Sequence, residues 1–227
     1  MDKQKLHDEL KQYAFGMGAV LFGVADLSKV KHEFELDEEI LEKLDKGISI
    51  GARINPLVVS EIEKRPTQLY LHHYKTVNHF LDQIALKLTN YIISNEYLAL
   101  PIPASQITDW KKQTSHVSHK KVAYLSGVGW QGRNNLLVNE KFGSHFRLVT
   151  VLTNMPLKLD KPKDLACGKC MNCVKVCPAG AIKERPEDFD HIKCFEKVRE
   201  FQKNNLINQY ICGICIRACR GSCEASR

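Results

Sequence analysis

The sequence predicts an α+β chain, with an α/β domain over residues 1–157 followed by a small cysteine-rich domain over 158–227. Three observations predict it. Helix-period and strand-period segments alternate up to Thr153. All nine cysteines lie from Cys167 to Cys223, and the first 166 residues hold none. Between them runs M-P-L-K-L-D-K-P-K-D at 155–164, whose Pro and Lys content reads as a linker.

The elements follow in order. Leu6, Leu10, Tyr13 and Ala14 stand at helical spacing within 2–17, and Gly16 and Gly18 end that helix. Ala19 to Val24 reads as a short buried strand. Residues 36–46 form a charged helix with an apolar stripe of Leu36, Ile40, Leu41 and Leu44. Ile48 to Ile54 alternates as a strand, in which Gly51 suits either a bulge or a close backbone approach. Residues 67–96 carry Tyr70, Tyr74, Val77, Leu81, Ile84, Ala85, Leu88 and Tyr91 every three or four positions, one long helix. A strand over 97–100 is closed by P-I-P. Residues 104–122 are polar, with Trp110, His116 and His119 embedded, and read as a surface loop or short helix. Leu136 to Val138 and Arg147 to Thr153 are strands on either side of Gly143, and Phe195 to Ile207 is a helix between the cysteine blocks.

The first cysteine block is Cys167-x2-Cys170-x2-Cys173-x3-Cys177-Pro178, the bacterial ferredoxin spacing for [4Fe–4S] ligation. Three thiolates at this spacing let one loop wrap a cuboid, while the fourth points away to a neighbouring cluster. The simplest assignment of two clusters gives Cys167, Cys170, Cys173 and Cys219 to one and Cys177, Cys194, Cys212 and Cys215 to the other. Spacing leaves open an exchange of Cys219 for Cys223, since Arg220 and not proline follows Cys219. Zinc ribbons favour two separated C-x2-C pairs, so two zinc sites fit less well, as does a single cluster with idle cysteines. Disulfides belong to oxidising compartments, and Met1 to Leu10 is polar, unlike a signal peptide.

The formal net charge of +7 permits an acidic partner, such as nucleic acid, an acidic electron donor or a phosphorylated ligand, and demands none. No apolar run approaches the ~20 residues that span a bilayer, so a cytoplasmic protein off the membrane is expected. The stretch Gly127-Val128-Gly129-Trp130-Gln131-Gly132-Arg133-Asn134-Asn135 suggests backbone pressed against something flat or phosphorylated, or else a glycine-rich turn. It has neither Walker nor dinucleotide spacing. His72, His73 and His79 read as polar or capping residues.

The residues 127–146, G-V-G-W-Q-G-R-N-N-L-L-V-N-E-K-F-G-S-H-F, then C-G-K-C-M-N-C-V-K-V-C-P-A-G-A-I and the later Cys194…Cys212-x2-Cys215-x3-Cys219, resemble epoxyqueuosine reductase. The resemblance runs strongly from 123 to 219 and loosely before that. This family is similar to the reductive dehalogenases. The resemblance implies a nitroreductase-like, cobalamin-binding α/β domain that receives electrons through two [4Fe–4S] clusters in a ferredoxin-like domain. Gly127, Gly129, Trp130, Gly132, Arg133, Asn134 and Gly143 would then lie against the corrinoid. Family members place a catalytic aspartate in a stretch resembling V-D-T-A-P; here it aligns with K-Q-T-S-H, with Gln113 at the acid's place and Asp109 the nearest acid. The full-length reductases continue into a helical tRNA-reading domain, whereas this sequence stops at Arg227, a short form.

What the resemblance implies is an iron–sulfur oxidoreductase. A reduced ferredoxin or flavodoxin would supply electrons, the clusters would pass them to cobalamin, and a small-molecule or modified-nucleoside substrate would be reduced. Candidate proton donors are His116, His119, Tyr74 and Asp109. A corrinoid-handling protein and a plain two-cluster electron-transfer protein are the alternatives.

Overall fold

A computed structural model describes residues 2–109 and 114–221; Trp110, Gln113 and Cys223 lie outside the described residues. In chain order the elements are α1 (Lys3–Gly16), β1 (Leu21–Asp26), α2 (Glu38–Lys43), β2 (Lys46–Arg53), α3 (Pro56–Ser60), α4 (Gln68–Ser94), β3 (Ala99–Ile102), α5 (His119–Leu125), β4 (Trp130–Gln131), β5 (Leu137–Val138), β6 (Phe146–Thr153), α6 (Asn172–Val176), α7 (His191–Lys203) and α8 (Ile214–Ala218). The chain forms two compact units. One comprises Met1–Ala52, Asn78–Val128 and Arg147–Lys163; the other comprises Arg53–Val77, Gly129–Phe146 and Asp164–Arg227.

The first unit is built on a sheet of strand order β1-β2-β6-β3. β1 and β2 are antiparallel from Leu21↔Gly51 to Asp26↔Lys46, so Gly51 keeps regular register and forms no bulge. A Cβ there would meet the Leu21 side chain at 2.9 Å, which makes this glycine a packing residue. β3 pairs with β6 through Pro101 and Ile102, past the predicted end at Leu100. An edge position explains this, because proline's missing N–H breaks no ladder bond there. Asp2 caps α1 through Gln4 N at 2.9 Å, and Leu6, Leu10 and Ala14 are buried on its inner face. On α4, Leu81, Ile84, Ala85 and Leu88 are buried as their periodicity predicts, while Tyr91 stacks on Tyr13 with centroids 5.2 Å apart. A further core gathers Ala25, Leu27, Phe34, Leu41, Ile102, Val122 and Leu152.

The second unit packs Ile54, Val59, Ile62, Tyr70, Leu71 and Tyr74 with Phe201, Ile207, Ile211, Ile214 and Ile216. A two-stranded sheet pairs Trp130 with Val138 and Gln131 with Leu137, so the glycine-rich stretch contains a strand that its composition concealed. Leu137–Val138 turns back on this strand, and β6 belongs to the other sheet. α7 spans His191–Lys203, earlier than the predicted 195–207. Asp190 caps it through Lys193 N at 3.0 Å, and Asn205 at φ 54° stops it. Among the described residues no helix is long and apolar enough to cross a membrane.

Candidate metal centre

Two short helices of the second unit carry the cysteines in matched positions. Cys173 lies on α6 and Cys177 caps its end, with its N–H on the Val174 carbonyl at 3.3 Å. Cys215 lies on α8 and Cys219 caps its end, with its N–H on the Ile216 carbonyl at 2.9 Å. Cys194 sits in the first turn of α7, bonded to the Asp190 carbonyl at 3.2 Å. The result is a convergence of cysteines that stand far apart in the sequence. Cys177, Cys194, Cys212 and Cys215 line one cavity of about 50 Å³, closed by Ile182, Phe189 and Val198. Cys173 feels the charges of Cys219 and Cys167. The structure thus brings these three together and the other four together.

The electrostatics make Cys173, Cys212 and Cys215 poor anions by themselves. Burial pushes Cys173 up to about 11, and Cys219 and Cys167 add to it. Burial likewise raises Cys212 to about 11, with the charges of Cys194 and Cys177 also raising it. Cys215 is raised well above the ordinary thiol value by burial and then by Cys212, Cys194, Cys173 and Cys177. A buried group of mutually repelling thiols becomes a stable set of thiolates only around compensating cations. Its chemistry therefore fits an iron–sulfur group. Among the described residues no three His, Cys, Asp or Glu side chains come close enough to chelate a single metal ion. Among the described residues Cys167, Cys173, Cys177, Cys194, Cys212, Cys215 and Cys219 are free thiols.

The glycines of the 127–143 region press against the chain itself. A Cβ on Gly127 would meet the Lys161 carbonyl oxygen at 2.4 Å, and one on Gly129 the Val138 oxygen at 2.1 Å. On Gly132 it would meet the Val138 side chain at 2.5 Å, and on Gly143, at φ +59°, the Cys219 oxygen at 2.2 Å. Close packing of the chain on the Cβ side therefore accounts for glycine at these positions. Trp130 is buried and its indole Nε1 has no hydrogen-bond partner.

No family model matches the chain. Curated epoxyqueuosine reductases do. The Escherichia coli (strain K12) enzyme is 38% identical over 78 residues, 34% of this chain and 20% of that one. The Vibrio cholerae enzyme is 26% identical over 220 residues, 80% of this chain and 55% of that one. A catabolic reductive dehalogenase superposes with a TM-score of 0.77 at 16% identity, over 96% of this chain and 32% of that one. An epoxyqueuosine reductase solved with an epoxyqueuosine-modified tRNA stem loop superposes at 0.66 and 19% identity, over 95% of this chain and 64% of that one. The chain is similar to epoxyqueuosine reductases in sequence and shares a fold with them and with reductive dehalogenases. A further reductive dehalogenase structure, described in terms of B12-dependent dehalogenation, matches at 0.68 and 16% identity, over 81% of this chain and 26% of that one. At these identities the structures establish the shared fold. These two curated relatives are matched over a fifth and about half of their length.

The candidate proton donors named from the sequence are engaged within the fold. His119 Nε2 donates to the Pro103 carbonyl at 2.8 Å, and Nδ1 accepts from Thr150 Oγ1 at 2.8 Å. Burial drives its pKa down to about 4, so both nitrogens serve the fold in a neutral ring. His116 Nδ1 meets the Glu35 carbonyl at 2.9 Å. The Asp109 backbone bridges to Thr114. Tyr74 belongs to the core of the second unit. His73, read as polar or capping, accepts the Asn55 N–H at 2.9 Å before α3. The sequence reading missed what Arg133 holds. Its guanidinium donates to the carbonyls of Gly168, Cys170 and Glu184. The only signal was its place directly after Gly132.

Proposed function

We propose that this chain is an oxidoreductase that binds two [4Fe–4S] clusters and passes electrons through them to a cobalamin, which reduces a modified nucleoside or another small substrate. The single observation that carries the iron–sulfur half is the cavity between Cys177, Cys194, Cys212 and Cys215, assembled from three separated stretches of sequence. These four would hold one cluster, and Cys167, Cys170, Cys173 and Cys219 the other. Bound clusters supply one-electron transfer, and a corrinoid supplies the reducing centre that faces substrate. The protein's own part is to gather the thiols, to keep water from them with Ile182, Phe189 and Val198, and to set their register through α6, α7 and α8. Residues 158–227 make the ferredoxin-like module of this reading, and 1–157 the domain that meets cobalamin. A reduced ferredoxin or flavodoxin in the cytoplasm would supply the electrons.

The corrinoid half draws on the likeness to a B12-dependent dehalogenase and to epoxyqueuosine reductases. Packing of the chain against the glycines accounts for them without a ligand, which favours a second reading, a two-cluster electron-transfer protein without corrinoid. Anaerobic reconstitution with iron, sulfide and cobalamin, followed by desalting and metal analysis, tests both. The expected result is about eight irons and about one cobalt per chain, given four irons per cluster. Eight irons with no cobalt selects the second reading, and zinc in place of iron removes both. Reductive turnover of epoxyqueuosine-containing RNA by the loaded protein then tests the substrate class.

A further inference from the structure

We propose that Arg133 is a positioning residue for the cluster held by the Cys167–Cys170 loop: it clamps that loop and its charge keeps the reduction potential of that cluster up. The inference rests on the iron–sulfur reading above and names a determinant within it. The guanidinium donates Nη2 to the Gly168 carbonyl at 2.8 Å and Nη1 to the Cys170 carbonyl at 3.0 Å. Its Nε donates to the Glu184 carbonyl. One planar fork therefore ties together two backbone segments that flank α6, and two of its three acceptors lie in the loop that carries the first two cysteines. Charge-assisted bonds of this kind are the stronger class of hydrogen bond.

The base of the fork is itself fixed. Arg133 stands at the tip of the β4–β5 hairpin, where the Gly132 N–H meets the Leu136 carbonyl at 2.8 Å and the Asn135 N–H meets the Gly132 carbonyl at 3.0 Å. Its neighbour Asn134 is buried, donates Nδ2 to Ser144 Oγ at 3.2 Å, and lines the cavity of the other four cysteines. Consecutive side chains of one hairpin tip thus reach both cysteine sets. Reduction adds one electron and one negative charge to a cluster. A fixed cation beside the loop stabilises that reduced form, and a lost cation shifts the equilibrium towards the oxidised form.

Arg133→Gln and Arg133→Lys, each reconstituted anaerobically as the full chain, test this. Iron is counted, and redox titrations are followed by electron paramagnetic resonance. In Arg133→Gln, one cluster is expected to show a reduced-to-oxidised ratio about tenfold lower at the wild-type midpoint, or to be lost with about four irons retained, while the other titrates as in the wild type. Arg133→Lys is expected to keep the midpoint and to release iron faster to a chelator, since it preserves the charge and loses the fork. Full iron with two unchanged titration curves in Arg133→Gln overturns the proposal. Equal loss of all iron in both variants overturns it too, because it marks a general folding role. A wild-type chain that takes up no iron–sulfur cluster is a different failure, that of the reading beneath.

Discussion

At the scale of single residues, the glycines show what a sequence can and cannot say. Three of them within six residues, at 127, 129 and 132, state that something approaches the backbone closely. They do not state what it is. At Gly129 it is the Val138 carbonyl, nine residues on, and a Cβ would stand 2.1 Å from that oxygen. Gly129→Ala must push apart β4 and β5, the pair that carries Arg133 and Asn134. Overpacking of this kind costs about 1–3 kcal/mol, and a contact this short belongs at the upper end. The urea midpoint of the variant should fall accordingly, and its iron content with it. A variant with an unchanged midpoint and a defect only in cobalamin binding would restore the cofactor reading of this glycine. His119 teaches the same lesson. Its polar neighbourhood was legible, but the Thr150 and Pro103 partners that make it a neutral bridge come from strand pairing that no local pattern encodes.

At the scale of elements, the long helices were legible because their apolar period runs over many turns, as along α4. Short pieces were not, because five residues hold too few periods. α6 and α8 are visible only through the cysteines that end them. The segment 155–160 is the sharper case. Its Pro and Lys content reads as a linker, yet Met155 and Leu157 are buried and the Lys158 N–H bonds the Lys3 carbonyl at 3.0 Å. Asp160 Oδ2 accepts from Val24 N at 2.9 Å and meets His7 Nε2 at 3.1 Å, while His7 Nδ1 meets Asp8 Oδ1 at 3.1 Å. A neutral imidazole can donate to only one carboxylate; the protonated ring donates to both. The hydrogen bond to Asp160 foremost, with Asp8 in support, holds His7 above its ordinary pKa against the opposing effect of burial. The folded chain therefore binds this proton more tightly than the unfolded chain. The stabilisation is complete below about pH 6.5 and is lost as pH rises through the higher folded-state value. Replacing His7 with Gln should cost about 2 kcal/mol near pH 6 and progressively less on the alkaline side. Denaturation midpoints measured from pH 6 to 9 check this, and parallel curves for both proteins would refute the clamp.

At the scale of the whole chain, the sequence reading divides the molecule once, at 157, whereas each compact unit is assembled from three segments. The cysteine block announces itself by composition. The segments Arg53–Val77 and Gly129–Phe146 that share its unit carry no such mark, because burial against it depends on long-range topology. The same topology brings the eight predicted ligands to one unit. Two cysteine sets drawn from different stretches can then lose their clusters one at a time. Reconstitution of the full chain should therefore reach about eight irons, four per cluster. Cys170→Ser should hold the count near four, retained at the set of Cys177, Cys194, Cys212 and Cys215, while Cys194→Ser should reduce it chiefly at that set. Loss of all iron in either variant would show that the two sets do not load independently.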